Sequence, residues 1–127
     1  MAEAVLDSSA ILAVLNSEPG ADRVTVVMPR SLVSVANEAE VITVLIRSGS
    51  SAQDALTSVA NLSYLRVDLD TALAQRAGTL WREVKSRGLS LGDRCCLALA
   101  EREKLPVLTG DKQWSGISLG VEVHLFR

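Results

Sequence analysis

Residues 4–10 of the chain read AVLDSSA, an apolar run that gives way to polar residues at Asp7. The apolar run predicts a short buried strand, Ala4–Leu6. Asp and Ser side chains commonly accept hydrogen bonds from the first N–H groups of a helix, so residues 7–9 predict a helix from about Ala10. A strand that passes directly into a helix is the unit from which α/β folds are built.

The same succession of strand and helix continues along the chain. Apolar runs predict further strands at 31–35, 64–69, 106–109 and 120–126. Helical spacing and capping residues predict helices at 21–28, 36–47, 51–61, 70–87 and 90–104. We expect an α/β fold with a central, mostly parallel sheet flanked by helices, which is a three-layer sandwich. The 127 residues fit one domain, spanning residues 1–127.

The composition limits the classes of protein that fit. Hydrophobic residues make up 48% of the chain and aromatic residues only 3%, so the core is mainly aliphatic. The formal net charge of −2 is not typical of a nucleic-acid-binding protein, although a local basic rim or bound metal ions can still attract phosphates. We expect no membrane span and no signal peptide. Cys95 and Cys96 are adjacent and poorly placed to bridge each other, which predicts reduced thiols and a cytoplasmic protein.

Two acidic residues follow predicted strands. Asp7 comes after the first strand and Asp111 after the strand at 106–109. In α/β sheets, ligands bind beyond the carboxyl ends of the strands, so these acids are expected at the same edge of the sheet. Asp7 can equally be a helix cap, and Asp111 lies in a turn, where Asp is common. Neither acid alone decides between a structural and a functional role.

Glu40 is the third candidate, because it is the only charge in the apolar helical segment 39–46. Burying a carboxylate costs several kcal/mol unless a cation or strong donors compensate. The alternative is a solvent-facing Glu40 on a narrow polar stripe with Ala36, Asn37 and Thr43. Glu38 lies about 200° away around the helix and is predicted to be solvated.

Asp93 is the fourth candidate and has a good structural explanation. It stands three residues after Ser90, which is the spacing of a capping box. An acid at this position also favours the positive end of the helix dipole. A helix N-terminus presents polar groups to ligands as well, so both roles can coexist in one residue.

The combination of four acids indicates metal chemistry. Clustered carboxylates repel unless cations lie among them, and all-oxygen ligand sets select hard cations such as Mg²⁺ or Mn²⁺. Pairs of such ions activate water and stabilise the leaving oxygen in phosphodiester cleavage. A Ser–His or Cys–His nucleophile is poorly supported, because the single histidine, His124, falls in the last predicted strand. The sequence has no Cys-x-x-Cys pair and no phosphate-binding P-loop.

Four motifs combine these acids with their neighbours: VLDSSA at 5–10, SVANEAEV at 34–41, GLSLGDRCCLALA at 88–100 and PVLTGDKQW at 106–114. They resemble the motifs of PIN-domain ribonucleases, and of the VapC toxins in particular. The motifs occur in the family's order, span essentially the whole chain and place the four acids at Asp7, Glu40, Asp93 and Asp111. The third motif is the most specific of the four.

The resemblance implies a PIN fold and an Mg²⁺- or Mn²⁺-dependent endoribonuclease that acts as a growth-inhibiting toxin. It also implies inhibition by a VapB-like antitoxin, RNA substrates such as tRNA or ribosomal RNA, and a homodimer. On the family pattern Asp7 and Asp93 are direct metal ligands, while Glu40 and Asp111 complete the site partly through water. The family's serine or threonine near the metal corresponds to Ser9 and Thr109.

Two other interpretations are compatible with the sequence. One is a PIN-fold binding module that has lost catalysis, against which the four acids argue because all are present. The other is a phosphatase or phospho-acceptor domain with Asp7 as nucleophile. The phosphatase version usually has a second acid two residues further on, where this chain has Ser9.

Overall fold

The centre of the molecule is a five-stranded sheet, seen in a computed structural model that describes residues 1–117 and 119–127. The strands are β1 Ala4–Leu6, β2 Ser31–Ser34, β3 Leu65–Val67, β4 Val107–Thr109 and β5 Val123–Leu125. Their order is β3-β2-β1-β4-β5, and each pairing is parallel. The predicted parallel sheet is therefore confirmed, with β1 in its middle. Asp7 directly follows this central strand.

Helices connect the strands and cover the sheet. They are α1 Ser8–Leu15, α2 Ala21–Val27, α3 Val35–Arg47, α4 Ala52–Ala60, α5 Thr71–Thr79, α6 Trp81–Val84 and α7 Leu91–Glu103. Short 3-10 helices follow α2, α6 and β4, at Met28–Arg30, Lys85–Arg87 and Lys112–Trp114. Most of these bounds lie within two residues of the predicted ones, because capping residues mark the starts of the long helices.

Two apolar clusters pack on the sheet. The side chains of successive strand residues point to opposite faces, so the fully buried Val5 and Leu6 belong to different clusters. Val5 packs with residues of α5 and α7, whereas Leu6 packs with residues of α1, α2 and α3. The sheet thus lies between two helical layers, which confirms the three-layer α/β sandwich.

The predicted single helix at 70–87 is wrong. Asp70 does cap its start, accepting a hydrogen bond from the backbone N–H of Leu73 at 2.9 Å. The helix is interrupted at Leu80, and its last residues form a 3-10 turn. Gly78 and Thr79, which directly precede the interruption, are weak helix formers, and the Thr79 hydroxyl donates to the Arg76 carbonyl at 3.0 Å. Trp81, at the start of the second piece, is 54% exposed rather than packed in the core.

Within the described ranges, none of the helices has the length and apolar character needed to cross a bilayer. Cys95 and Cys96 are both free thiols buried in α7.

Candidate metal-binding site

Asp7 lies in the space between β1 and α1 and is only 2% exposed. As the N-cap of α1 it accepts a hydrogen bond from the Ala10 N–H at 2.9 Å. The hydroxyl of Ser9 donates to the same oxygen at 2.6 Å, and the hydroxyl of Thr109 donates to the other oxygen. Burial raises the pKa of Asp7 from 3.8 to about 6; these hydrogen bonds oppose the rise, and the charge of Asp93 adds to it. A buried carboxylate of this kind is stabilised in its charged form by a nearby cation.

Glu40 lies on α3 with its carboxylate turned toward the N-termini of α1 and α7. One oxygen accepts hydrogen bonds from Ser8 Oγ at 2.6 Å and from Asn37 Nδ2 at 3.1 Å. Its carboxyl group also lies directly against the backbone of Gly92 in α7. Glu40 is half-buried, and Asn37, which the polar-stripe alternative placed toward solvent, is fully buried. A carboxylate in an apolar helix needs hydrogen-bond donors, and Ser8 and Asn37 supply them to Glu40.

Asp93 forms the predicted capping box at the start of α7. One of its oxygens accepts a hydrogen bond from the Ser90 N–H at 2.9 Å, and Ser90 Oγ accepts one from the Asp93 N–H at 3.2 Å. Burial raises the pKa of Asp93, and the charges of Glu40 and Asp111 raise it further, while the hydrogen bonds with Ser90 lower it. The structural role of Asp93 therefore exists together with an electrostatic link to the other acids.

Asp111 begins the 3-10 turn after β4, where one carboxylate oxygen accepts a hydrogen bond from the Gln113 N–H at 2.9 Å. The Asp111 N–H donates to Thr109 Oγ1 at 3.0 Å. Ser9 also contacts this loop, because its Oγ accepts a hydrogen bond from the Gly110 N–H at 2.9 Å. Ser9 and Thr109 thus tie the loop after β4 to the carboxylate that follows β1.

The four acids interact through their charges, and Asp93 is linked in this way with each of the other three. Its charge influences Asp7, and the charges of Glu40 and Asp111 influence Asp93. Within residues 1–117 and 119–127, however, no three His, Cys, Asp or Glu side chains are close enough to hold one ion between them.

The donor set fits a hard divalent cation. Glu40, Asp93 and Asp111 each accept hydrogen bonds through one carboxylate oxygen, and no donor among the described residues reaches the other oxygen. Carboxylate oxygens without protein donors are the ligands that Mg²⁺ and Mn²⁺ prefer. Asp7 differs, since both of its oxygens already accept hydrogen bonds.

Sequence reasoning missed the residues that support Glu40. Asn37 is three positions before Glu40 on one helix face, which is a signal that the two side chains can meet. Ser8 and Gly92 come from other parts of the chain, and no local pattern connects them with α3. Glu38 is also not solvated as predicted, because it accepts hydrogen bonds from Tyr64 Oη and from Arg66 Nε.

The sequence profile of the PIN domain family matches residues 4–118, and the chain belongs to this family. Its fold is the one that the motif comparison led us to expect. No curated protein sequence matches the chain.

Solved structures of toxin–antitoxin proteins have similar folds. The DNA-bound VapBC from Salmonella typhimurium aligns over 100% of both chains, with a TM-score of 0.75 and 22% identity. VapC20 from Mycobacterium tuberculosis, a toxin that cleaves the sarcin–ricin loop, covers 91% of this chain and 97% of its own, with a TM-score of 0.76 and 18% identity. A toxin–antitoxin complex from Klebsiella pneumoniae covers 98% of both chains, with a TM-score of 0.74 and 20% identity. At these identities the similarity establishes the fold alone.

Proposed function

We propose that the chain is an Mg²⁺- or Mn²⁺-dependent endoribonuclease that hydrolyses phosphodiester bonds and acts as the growth-inhibiting toxin of a toxin–antitoxin pair. The observation that carries this proposal is that Glu40, Asp93 and Asp111 each keep one carboxylate oxygen that no donor among the described residues reaches. The charges of these three acids also interact with one another or with Asp7. These acids come from four separate parts of the sequence. Packing mutually repelling carboxylates together destabilises the protein unless they have a charged ligand.

The proposed roles of the four acids follow the pattern of the PIN-domain family. Asp7 and Asp93 are direct ligands, and Glu40 and Asp111 complete the site, partly through water. When bound, a divalent ion supplies an activated water and stabilises the developing charge on the leaving oxygen. The chain's own polar groups orient the acids: Ser9 and Thr109 donate to Asp7, as described above, which keeps its carboxylate fixed.

The proposed partners come from the family resemblance and from the neighbouring folds. RNA, for example tRNA or ribosomal RNA, is the substrate, and a VapB-like antitoxin is the inhibitor. The active form is a homodimer composed of two copies of the single domain, residues 1–127. Its place of action is the cytoplasm, where the two free thiols in α7 remain reduced.

An RNA cleavage assay tests the enzymatic part of the proposal. The purified chain is incubated with tRNA and ribosomal RNA in the presence of Mn²⁺, Mg²⁺ or a chelator. Asp7→Asn is the test variant, and Asp70→Asn is a matched control, since Asp70 also caps a helix that follows a strand but lies outside the acidic group. We expect metal-dependent cleavage by the native chain and by Asp70→Asn, and loss of cleavage by Asp7→Asn.

The second candidate is a catalytically inactive PIN-fold binding module. It is favoured by the finding that, in the described part of the chain, no three acidic side chains are close enough together to hold one metal ion. Under this alternative the native chain leaves RNA intact at every metal concentration, although it still binds a protein partner. The same cleavage assay therefore separates the two candidates.

A further inference from the structure

Gly92, the second residue of α7, lies against the end of the Glu40 side chain. A Cβ atom at position 92 would be 2.2 Å from the Glu40 carboxyl carbon and 2.2 and 2.3 Å from its two oxygens. The backbone of Gly92 is helical and is not among the glycines with positive φ. Its conformation is therefore open to any residue, and the three atoms nearest to an added Cβ all belong to Glu40.

Asn37 connects three of the elements around the acidic group. Its Nδ2 is 3.1 Å from Ser8 Oγ, 3.1 Å from Glu40 Oε1 and 3.2 Å from the Gly92 carbonyl oxygen. The side chain is completely buried and shared between the N-termini of α1 and α7 and the middle of α3. A side-chain amide is well suited to this place, because its N–H groups can serve acceptors on several neighbouring elements.

We propose that Gly92 and Asn37 are positioning residues that hold the Glu40 carboxylate beside Asp93. Gly92 provides the space in which the carboxylate lies, and Asn37 donates to it while binding the backbone of the adjoining helix. Neither residue contacts a substrate in this role. The expected effect of Gly92 and Asn37 on metal binding rests on the proposed function. Their effect on the position of Glu40 does not.

Gly92 and Asn37 both act on the flexible side chain of Glu40. A substitution at either position should therefore mainly change where the Glu40 carboxylate lies. Glu40 can rotate away from an added methyl group at position 92 without movement of the backbone. We therefore expect Gly92→Ala to fold, but to displace the carboxylate and break its hydrogen bonds with Ser8 and Asn37. The substitution should therefore displace one acidic side chain and leave the core intact.

The first experiment compares Gly92→Ala with Gly78→Ala by thermal melting with and without Mn²⁺. Gly78 is a matched control, because it is also a helical glycine, and no atom lies within 4 Å of a Cβ built there. Alanine favours helices, so Gly78→Ala should raise the metal-free melting temperature and leave the Mn²⁺ response unchanged. Gly92→Ala should give no such rise and should weaken Mn²⁺ binding by roughly 10- to 100-fold, the range for groups that orient metal ligands.

The second experiment repeats both measurements in a Glu40→Ala background. If Gly92 acts through Glu40, Gly92→Ala in this background should raise the metal-free melting temperature, as Gly78→Ala does, and cause no further loss of Mn²⁺ affinity. Asn37→Ala should likewise cost less Mn²⁺ affinity in this background than in the native chain. The proposal is overturned if Gly92→Ala changes the melting temperature equally in both backgrounds.

The metal-free measurements keep this inference separate from the proposed function. If the native chain shows no Mn²⁺ shift at all, the metal-dependent nuclease proposal fails. The metal-free melting temperatures then still show whether the effect of Gly92→Ala depends on Glu40.

Discussion

The hydroxyl of Thr109, the last residue of β4, donates a hydrogen bond to the carboxylate of Asp7, 102 positions earlier in the chain. Both residues are essentially inaccessible to solvent. The bond joins the carboxyl ends of two neighbouring parallel strands and is one of the contacts that lower the pKa of a carboxylate otherwise raised by burial. It therefore favours the charged form of Asp7, which is the form that binds a cation.

Thr109→Val should remove this donor while keeping the shape of the side chain. We expect a loss of about 1–3 kcal/mol, typical for a buried group that loses its hydrogen-bond partner, and a further rise in the pKa of Asp7. The loss should be larger at about pH 8, where Asp7 is charged, than at about pH 5. Melting curves at both pH values measure it.

Two controls accompany this variant. Thr109→Ser keeps the hydroxyl and should retain most of the stability. Thr43→Val removes an exposed hydroxyl that bonds only to the Ala39 carbonyl, and should change the melting temperature little at either pH. Equal losses at both pH values for Thr109→Val would show that the bond does not serve the charged form of Asp7.

Asp7→Asn should change the pH dependence of stability. Because the folded-state pKa of Asp7 is raised from 3.8 to about 6, the native protein favours the protonated acid. Its contribution to stability is fully present below pH 3.8, and is lost as the pH rises through about 6. Such a rise in pKa corresponds to roughly 3 kcal/mol at most.

Asn does not titrate in this range, so metal-free Asp7→Asn should gain stability relative to the native chain between about pH 4 and about pH 8. Chemical denaturation across this range, in a chelating buffer, is the measurement. A difference between the two proteins that stays constant with pH contradicts the raised pKa.

The structural and functional roles of Asp93 should separate in two variants. Asp93→Asn keeps an oxygen that can accept from the Ser90 N–H, so we expect nearly native stability together with loss of Mn²⁺ binding and of RNA cleavage. Ser90→Ala removes the cap of α7 and should cost about 0.5–2 kcal/mol while leaving the acid in place. If Asp93→Asn destabilises the chain as much as Ser90→Ala does and still cleaves RNA, Asp93 is only a cap.

The fold was predictable because its signals are local. The apolar run Ala4–Leu6 and the capping residues Ser90 and Asp70 mark strand and helix boundaries within a few positions of themselves. Parallel pairing then follows from the alternation of strands and helices. The interruption at Leu80 was not predicted, because the apolar spacing of this segment continues through the break.

The acids of the candidate site were predictable for similar reasons, whereas their surroundings were not. The position of Asp7 after a strand is visible in the sequence, but its raised pKa depends on burial beneath distant residues. The space left by Gly92 for Glu40 is a contact between α7 and α3, more than 50 positions apart, and a glycine in a capping sequence gives no sign of it. The alternative that placed Asn37 on a polar stripe was open because a periodic pattern does not reveal which polar residues are enclosed.

Asp111→Asn should make the metal-free protein more stable, because it removes one charge from the repelling group around Asp93. The amide oxygen can still accept from the Gln113 N–H, so the 3-10 turn should persist. The melting shift produced by Mn²⁺ should become smaller, since binding to the native state stabilises it in proportion to affinity. A lower metal-free melting temperature with an unchanged Mn²⁺ shift would contradict both expectations.

The last prediction concerns the antitoxin and rests on the proposed function. A cluster of acids without its metal is a natural receptor for a cationic side chain, and Arg can bond two carboxylate oxygens at once. An apolar anchor is also needed, because buried contacts rather than rim charges carry most affinity. We expect an amphipathic antitoxin segment to bind among the helices between Ala10 and Ile46. An open groove along α3 leads to Glu40 and is lined by Ala39, Glu40, Thr43, Val44 and Arg47.

Co-expression with the adjoining upstream open reading frame should therefore yield a tight complex that does not cleave RNA. Because Arg and Mn²⁺ would compete for the same carboxylates, titration with Mn²⁺ should weaken the complex and restore cleavage. Val44→Asp places a charge in the groove one helical turn from Glu40 and should weaken the complex. RNA cleavage by the free variant checks that the acidic site still works. Leu56→Asp, at an exposed position on α4 outside this region, is the control for a general effect of an added charge. A stable complex that cleaves RNA as fast as the free chain would exclude inhibition at the acidic site. A complex that is insensitive to Mn²⁺ would place the inhibitor elsewhere on the protein.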